Sequence, residues 1–152
     1  MPDEKNSLWL SAEQQRIWRT YLSGVARIDD HLNEALRCFH LDLNEYEILV
    51  ALSEAPGRAV RMSELASSVH QSRSRLTHTA TRMEHQGLLE RCRADEDRRG
   101  VLAKLTEHGM ELLVQAAPTH VRSVREALVD AMSAEDFRAL GRAMSAVMAV
   151  RD

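Results

Sequence analysis

The spacing of apolar residues along the chain predicts a mainly helical protein with long helices at both ends. In residues 11–40 apolar side chains recur every three or four positions, as one face of a helix requires. Ser11 and Gln14 have the spacing of a capping box, which favours a helix start. A second stripe, in residues 137–148, follows a capping Ser133. Together the two stripes have more apolar surface than the central part of the chain, about 60 residues, can bury within one chain, which predicts a dimer.

The middle of the chain has the pattern of a helix-turn-helix. A capping box at Asn44–Glu47 predicts a helix that ends before Pro56. Residues 63–69 predict a short helix, and after a break at His70–Ser72 a further helix runs as far as a C-capping Gly87. Two short helices joined by such a break form a helix-turn-helix.

After this motif the pattern changes to the alternation of strands. Residues 88–93 and 101–105 predict two short strands, which the charged loop 94–100 joins as a hairpin, or wing. From Thr106 the chain is helical again, and Pro118 is expected to kink or break that helix.

These elements predict a fold that is mainly α with a small β-hairpin wing. We expect a single domain, 1–152, that contains a winged helix-turn-helix at 44–105. Long N- and C-terminal dimerisation helices are expected in residues 11–40 and 106–150.

Charge is distributed unevenly, although the net charge of the chain is −3. Residues 58–104 hold ten Lys and Arg against six acids, a balance of +4, which leaves −7 for the rest. A basic middle between acidic flanks suits a protein that presents one face to phosphates. A solvated helix surface is the alternative.

The second helix of the motif has a polar and cationic outer face. Placed on a helix, Leu76, Ala80 and Met83 share the packed side, and Ser74 and His78 lie opposite. Arginine can bind guanine in bidentate fashion, and Ser, Thr and His contact bases or phosphates. Base-reading residues usually lie in the N-terminal part of such a helix. The candidates on its outer face and flanks include Ser72, Arg73, Arg75, Thr77 and Arg82.

The wing places two arginines, Arg98 and Arg99, at a loop tip beside Gly100. An arginine at such a tip can enter a narrow minor groove, where the negative potential is strongest. Asp97 is two residues before Arg99 and can hold its guanidinium in one orientation.

Residues 62–91 resemble the helix-turn-helix of MarR-type regulators, and Asp97–Gly109 resembles that family's wing and the turn after it. The resemblance extends over nearly the whole chain, because long helices flank both motifs. It implies a homodimer that binds a pseudo-palindromic operator on double-stranded DNA, usually as a repressor released by a small molecule or an oxidant. Carried over by position, the DNA contacts are Ser72, Arg73, Ser74, Arg75, Thr77, His78 and Arg99, with Asp97 bracing Arg99.

The chain departs from the family's usual turn at two residues. His70 stands where glycine is common, and His tolerates a left-handed backbone better than most residues. Gln71 replaces an apolar residue, which reduces burial and lets the amide face the DNA backbone.

A small aromatic effector is expected between the dimerisation helices and the winged lobe, by analogy with the family. Five of the six aromatic residues lie in the first 46 positions, and apolar walls with a few polar groups suit an aromatic acid. A dimer core that happens to contain these aromatics is an equal alternative. The candidate effector contacts are Trp18, Tyr21, His40, Tyr46 and Met62.

Other sensing mechanisms remain as alternatives. Cys38 and Cys92 form no CxxC pair and are expected to be small buried residues, with a redox role for Cys38 as the minority interpretation. The seven histidines lack metal-binding spacing, so no metal or other cofactor is expected, and a metal-responsive regulator is a minority interpretation. A winged-helix protein-interaction module would have a neutral or apolar outer face, which the arginines contradict.

Several classes of protein find no support in the sequence. No apolar run approaches the roughly 20 residues that span a bilayer, and the first residues are not those of a signal peptide, so we expect no membrane partner and a cytoplasmic protein. No glycine-rich phosphate loop and no nucleophile elbow is present. An enzyme is therefore not expected.

Overall fold

The computed structural model describes residues 8–93 and 100–150. Short 3-10 turns occupy Arg37–Phe39 and Pro56–Arg58, and a π turn occupies Arg125–Val129. The predicted fold class, mainly α with a small β-hairpin, is confirmed. The helices and strands are, in order, α1 (Ala12–Leu36), α2 (Leu43–Glu54), β1 (Ala59–Arg61), α3 (Met62–Ser68), α4 (Arg73–His85), β2 (Leu89–Arg93), β3 (Val101–Leu105), α5 (Glu107–Val124) and α6 (Ala134–Met148).

The chain divides into two compact units. Residues 35–122 form the first, which we call the winged lobe, and the segments before and after it form the second. The winged lobe extends beyond the predicted 44–105, because Leu36, Leu41 and Leu113 belong to its core. The largest fully buried side chains of this core are Leu36, Ile48, Leu49, Leu52, Leu65, Leu76, Met83 and Leu89.

A three-stranded antiparallel sheet lies in the winged lobe in the order β1-β3-β2. The predicted hairpin forms β2 and β3, with Leu89 opposite Leu105 and Arg93 opposite Val101. Sequence reasoning missed β1, which pairs Ala59 with Lys104. Three residues are too few for a period-2 pattern to appear.

The start of α2 corrects one predicted cap. Asp42, not Asn44, is the N-cap: its Oδ1 accepts from the Glu45 amide at 2.8 Å. The Asp42 amide in turn donates to Oε2 of Glu45 at 2.9 Å, which completes the capping box. The boxes predicted at Ser11 and Ser133 do cap their helices.

The expected break at Pro118 does not occur. α5 runs from Glu107 to Val124 and includes Pro118. Proline removes one helical hydrogen bond, but Leu113 and Ala116 anchor the neighbouring turns in the core. The irregularity falls later, in the π turn at Arg125–Val129.

The junction between β3 and α5 is fixed by contacts to the turn before β2. The Thr106 hydroxyl donates to the Gly87 carbonyl at 2.6 Å and accepts from the Gly109 amide at 3.0 Å. The Thr106 amide donates to the Leu88 carbonyl at 3.2 Å. A Cβ on Gly109 would lie only 2.1 Å from that carbonyl oxygen, so no other residue fits without displacing backbone.

The second unit buries little of itself. Among its described residues only Leu32 and Ser123 are buried. Its apolar stripes are exposed, with Trp18 at 52% and Met148 at 76% of full exposure. Among the described residues, no helix has the length and apolar character needed to cross a membrane.

Replacing Gly109 by alanine should destabilise the winged lobe by about 2–4 kcal/mol, because the new methyl group meets the Leu88 carbonyl. Urea unfolding followed by circular dichroism measures the change. Gly141→Ala is the control, because Gly141 lies in α6 with nothing within 4 Å of an added Cβ. Alanine should stabilise α6 by about 0.5–1 kcal/mol, since it favours a helix more than glycine does. Equal effects of the two substitutions would contradict the close approach.

Candidate nucleic-acid interface

The helix-turn-helix places the N-terminus of α4 at the surface of the winged lobe. Ser72 is the N-cap of α4, and its hydroxyl accepts from the Arg75 amide at 3.2 Å. The turn before it requires a left-handed residue, and His70 adopts a φ of 53°. Both expectations are confirmed, and they set the point at which the outer face of the helix begins.

α4 separates apolar and polar residues as predicted. Leu76, Thr79, Ala80 and Met83 are buried. Five candidate DNA contacts are exposed on the same helix: Arg73, Ser74, Arg75, Thr77 and His78. The Thr77 hydroxyl donates to the Arg73 carbonyl at 2.8 Å, so Thr77 offers a ligand its acceptor lone pairs rather than a proton. The face therefore combines two guanidinium groups with hydroxyl and imidazole groups.

Arg82 has partners that the sequence did not indicate. Its Nε donates to Oε1 of Glu45 at 2.8 Å, and its Nη2 donates to Oδ2 of Asp42 at 3.1 Å. The Glu45 carboxylate is only 4% exposed. The hydrogen bond to Glu45 is the main cause of the raised pKa of Arg82. Arg82 therefore has two carboxylate partners within the lobe, and its DNA contact stays a prediction.

We call Asp42, Glu45 and Arg82 together the α2–α4 brace. Asp42 and Glu45 each use one carboxylate oxygen for the capping box of α2 and the other for Arg82. One guanidinium therefore ties the first turn of α2 to the last turn of α4. Sequence reasoning missed it because residues 42 and 82 are far apart in the chain.

A second ion pair ties α4 to the sheet. The Glu84 carboxylate accepts from Arg91 at its backbone amide (2.9 Å), Nε (3.1 Å) and Nη2 (2.7 Å). These bonds, above all the side-chain bond, lower the pKa of Glu84. Its negative charge is thus matched within the lobe.

A small cationic depression lies between α3, α4 and the start of β3. Its volume is about 260 Å³, and Arg61 and Arg73 line it together with Ser63 and Thr77. Met62, predicted as an effector contact, also lines this depression. Two arginines with two hydroxyl groups suit an anionic oxygen such as a phosphate.

The other predicted effector contacts lie at several different places. Trp18 and Tyr21 stack in the second unit, with ring centroids 5.8 Å apart. Tyr46 lies in the winged lobe against His120, with centroids 4.2 Å apart. His40 is exposed with a φ of 57°. The shared pocket stays a prediction, and His120 is an addition that no sequence pattern connects to position 46.

Three other expectations meet the structure differently. Gln71 does not face outward: both polar atoms of its amide are buried and have no hydrogen-bond partner among the described residues. Cys38 and Cys92 are exposed free thiols rather than buried residues. Asp97, Arg98 and Arg99 lie outside the described residues, so their roles remain predictions.

A metal centre has no support in the part of the chain that the structure describes. No group of three or more His, Cys, Asp or Glu residues there is placed to hold an ion.

A helix-turn-helix followed by an antiparallel hairpin, with a basic exposed second helix, defines the winged-helix class. The sequence profile of the MarR family matches residues 41–100. The crystal structure of AbsC, a MarR family transcriptional regulator from Streptomyces coelicolor, is 43% identical in sequence, with a TM-score of 0.88 over 93% of this chain and 96% of that one. This chain therefore belongs to the MarR family.

Two further relatives are also transcriptional regulators. Sco3205, a MarR family transcriptional regulator from Streptomyces coelicolor in complex with DNA, is 39% identical, with a TM-score of 0.89 over 93% of this chain and 90% of that one. The transcriptional repressor MprA of Escherichia coli K12 is 28% identical over 93 residues, 61% of this chain and 53% of that protein. This chain thus matches about half the length of that curated relative.

Removing the guanidinium of the α2–α4 brace should destabilise the winged lobe. Arg82→Ala leaves the buried Glu45 carboxylate without its strongest donor, which costs about 1–3 kcal/mol in urea unfolding. The stability of Arg82→Lys should lie between those of the wild type and Arg82→Ala, because one ammonium group lacks the forked guanidinium that reaches both carboxylates. Arg75→Ala is the matched control on the exposed side of the same helix, with an expected change within about 0.5 kcal/mol. Unchanged stability in Arg82→Ala with DNA affinity lost as in Arg75→Ala would make Arg82 a DNA contact instead.

Proposed function

We propose that this protein is a sequence-specific, DNA-binding transcriptional regulator that acts as a homodimeric repressor on a pseudo-palindromic operator. The observation that carries the proposal is the outer face of α4, where Arg73, Ser74, Arg75, Thr77 and His78 are all exposed. Its similarity to Sco3205, whose structure contains DNA, supports the same partner here.

The charges around α4 favour contact with phosphates. The only acid within α4 is Glu84, and Arg91 matches its charge. Two further acids near the helix, Asp42 and Glu45, both bond to Arg82, whose single positive charge offsets one of their two negative charges. Since each of these carboxylates is bonded to an arginine, the guanidinium groups of Arg73 and Arg75 dominate the face toward DNA.

Direct reading of bases is assigned to the first two turns of α4. Arg75 can bind guanine in the major groove, and Ser72 at the N-cap leaves backbone amides of the helix start near a phosphate. The wing supplies the minor-groove contact in this proposal, with Arg99 inserted and Asp97 orienting it.

The homodimer is supported by the second unit. Its α1 and α6 expose Trp18, Leu22, Val25, Phe137 and Val147. Apolar stripes of this extent in a soluble protein usually mark an interface, and a second copy offers the same stripes.

Release by a small effector is the proposed control. A ligand releases the operator only if it binds the DNA-incompetent arrangement more tightly than the competent one. The cavity beside Tyr46 and His120, about 640 Å³, is large enough for a small molecule. The redox alternative is favoured only by the exposure of Cys38, and Cys38→Ser tests it.

Binding should depend on the arginines of α4 in two different ways. Genomic footprinting with the purified protein identifies an operator, and titration of that operator at several salt concentrations measures affinity. Arg75→Ala should relax base preference at one position per half-site by about 1–3 kcal/mol. Arg73→Ala should weaken binding to all sequences and lower the salt slope by about one per subunit.

Arg122→Ala serves as the charge-matched control, because Arg122 is an exposed arginine at the end of α5 outside the proposed interface. It should retain base preference. A wild-type protein that binds operator and unrelated DNA equally well would contradict the proposal.

The protein should sediment as a dimer of twice the 17.2 kDa chain mass at micromolar concentration. Leu22→Glu with Val25→Glu should weaken the dimer, because both side chains are exposed on the apolar face of α1. Two-fold symmetry then places the two α4 helices about 34 Å apart, one turn of DNA. A folded wild-type monomer under these conditions would overturn the dimer.

A further inference from the structure

A cavity of about 640 Å³ lies within the winged lobe, between α2, β1, α3 and α5. Ligand cavities in proteins typically measure about 300–1,000 Å³, so this one has room for a small organic molecule. It is lined by Tyr46, Glu47, Val50, Ala51, Glu54, Val60, Glu64, Ser68, Val69, His70 and His120.

One side of the cavity is aromatic and uncharged. The Tyr46 and His120 rings lie 4.2 Å apart with a tilt of 31°, and Tyr46 is only 6% exposed. Burial raises the pKa of Tyr46 and lowers the pKa of His120, so both rings are neutral at pH 7. Val50, Ala51 and Val60 extend this surface with aliphatic groups.

The charged lining groups are of one sign. Glu47 and Glu54 of α2 and Glu64 of α3 contribute three carboxylates. Among the described residues, the lining contains no lysine or arginine, and its other ionisable groups are Tyr46, His70 and His120. A ligand carboxylate would therefore meet three like charges with no guanidinium to bind it, whereas an ammonium group would meet three opposite charges.

We propose that this cavity binds a lipophilic organic cation, an aromatic amine whose ring packs against Tyr46 and His120 and whose ammonium lies toward Glu47 and Glu64. The proposal rests on the proposed effector control and names its ligand class. It reverses the sequence-based expectation of an aromatic carboxylate, because that expectation considered the aromatic residues without the acids that fold around them.

Three probes with the same ring system test the sign of the charge. 1-Naphthylmethylamine is a cation at pH 7, 1-naphthylmethanol is neutral and 1-naphthoate is an anion. Isothermal titration of the full-length protein should give an affinity order of amine, alcohol and carboxylate. The amine should bind about tenfold or more tightly than the carboxylate, since three carboxylates contribute together.

The variant Glu47→Gln with Glu64→Gln locates the site. It should reduce amine affinity by about five- to tenfold, leave the alcohol unchanged and narrow the gap to the carboxylate. Glu111→Gln is the matched control, because Glu111 is an exposed acid of α5 outside the cavity. It should leave all three affinities unchanged.

Two results would overturn the proposal: a carboxylate that binds as tightly as the amine, or amine affinity that the double variant does not change. Failure of all three probes to bind would also overturn it. Operator titration of the wild-type protein keeps the two hypotheses apart, because operator binding without amine binding refutes the ligand class and leaves the DNA-binding function standing.

Discussion

The position of α4 and of its exposed polar face depends on the apolar core and on one guanidinium that links α4 to α2. Arg82 bonds to Asp42 and Glu45, and those two carboxylates also close the cap of α2. α2 is fixed in the core through Ile48, Leu49 and Leu52. Asp42 and Glu45 cap α2 and also bind Arg82 of α4. The orientation of the outer face of α4 is therefore linked to the position of α2 in the core. Leu76 and Met83 bury one side of α4 in the core, and the α2–α4 brace adds a polar link at its last turn.

The winged lobe matches many of its acids internally. Four carboxylates, those of Asp42, Glu45, Glu84 and Glu107, bond to arginines of the same unit. Apart from the bond between Arg82 and the buried Glu45, these pairs are partly exposed and individually add little to stability. Their larger effect is on the electric field, because they offset acids close to the exposed arginines of α4. A chain with a net charge of −3 can in this way present a basic surface.

Features that depend on neighbours in sequence were predictable, and those that depend on distant residues were not. The cap at Ser72, the hairpin and the packed face of α4 follow from local patterns, and the left-handed His70 follows from the family resemblance; each is confirmed. The cap of α2 was placed two residues late, because Asn44 and Glu47 have the same spacing as Asp42 and Glu45.

Long-range contacts left no trace in the pattern. The two partners of Arg82, Glu45 and Asp42, are 37 and 40 residues away along the chain. His120 contacts Tyr46 only because α5 packs within the winged lobe. The prediction that Cys38 and Cys92 are buried is wrong for a related reason. The residue type indicates where a cysteine usually lies, but the fold determines where it does lie. The candidate contacts on the wing stay predictions.

The buried amide of Gln71 has a consequence for how this chain can diverge. Two polar atoms without partners among the described residues cost about 1–3 kcal/mol, a large part of the margin by which a small domain stays folded. An apolar residue at this position would recover that free energy without altering the outer face of α4. A lineage that acquired it would have stability in reserve and could then accept destabilising substitutions on the exposed face of α4.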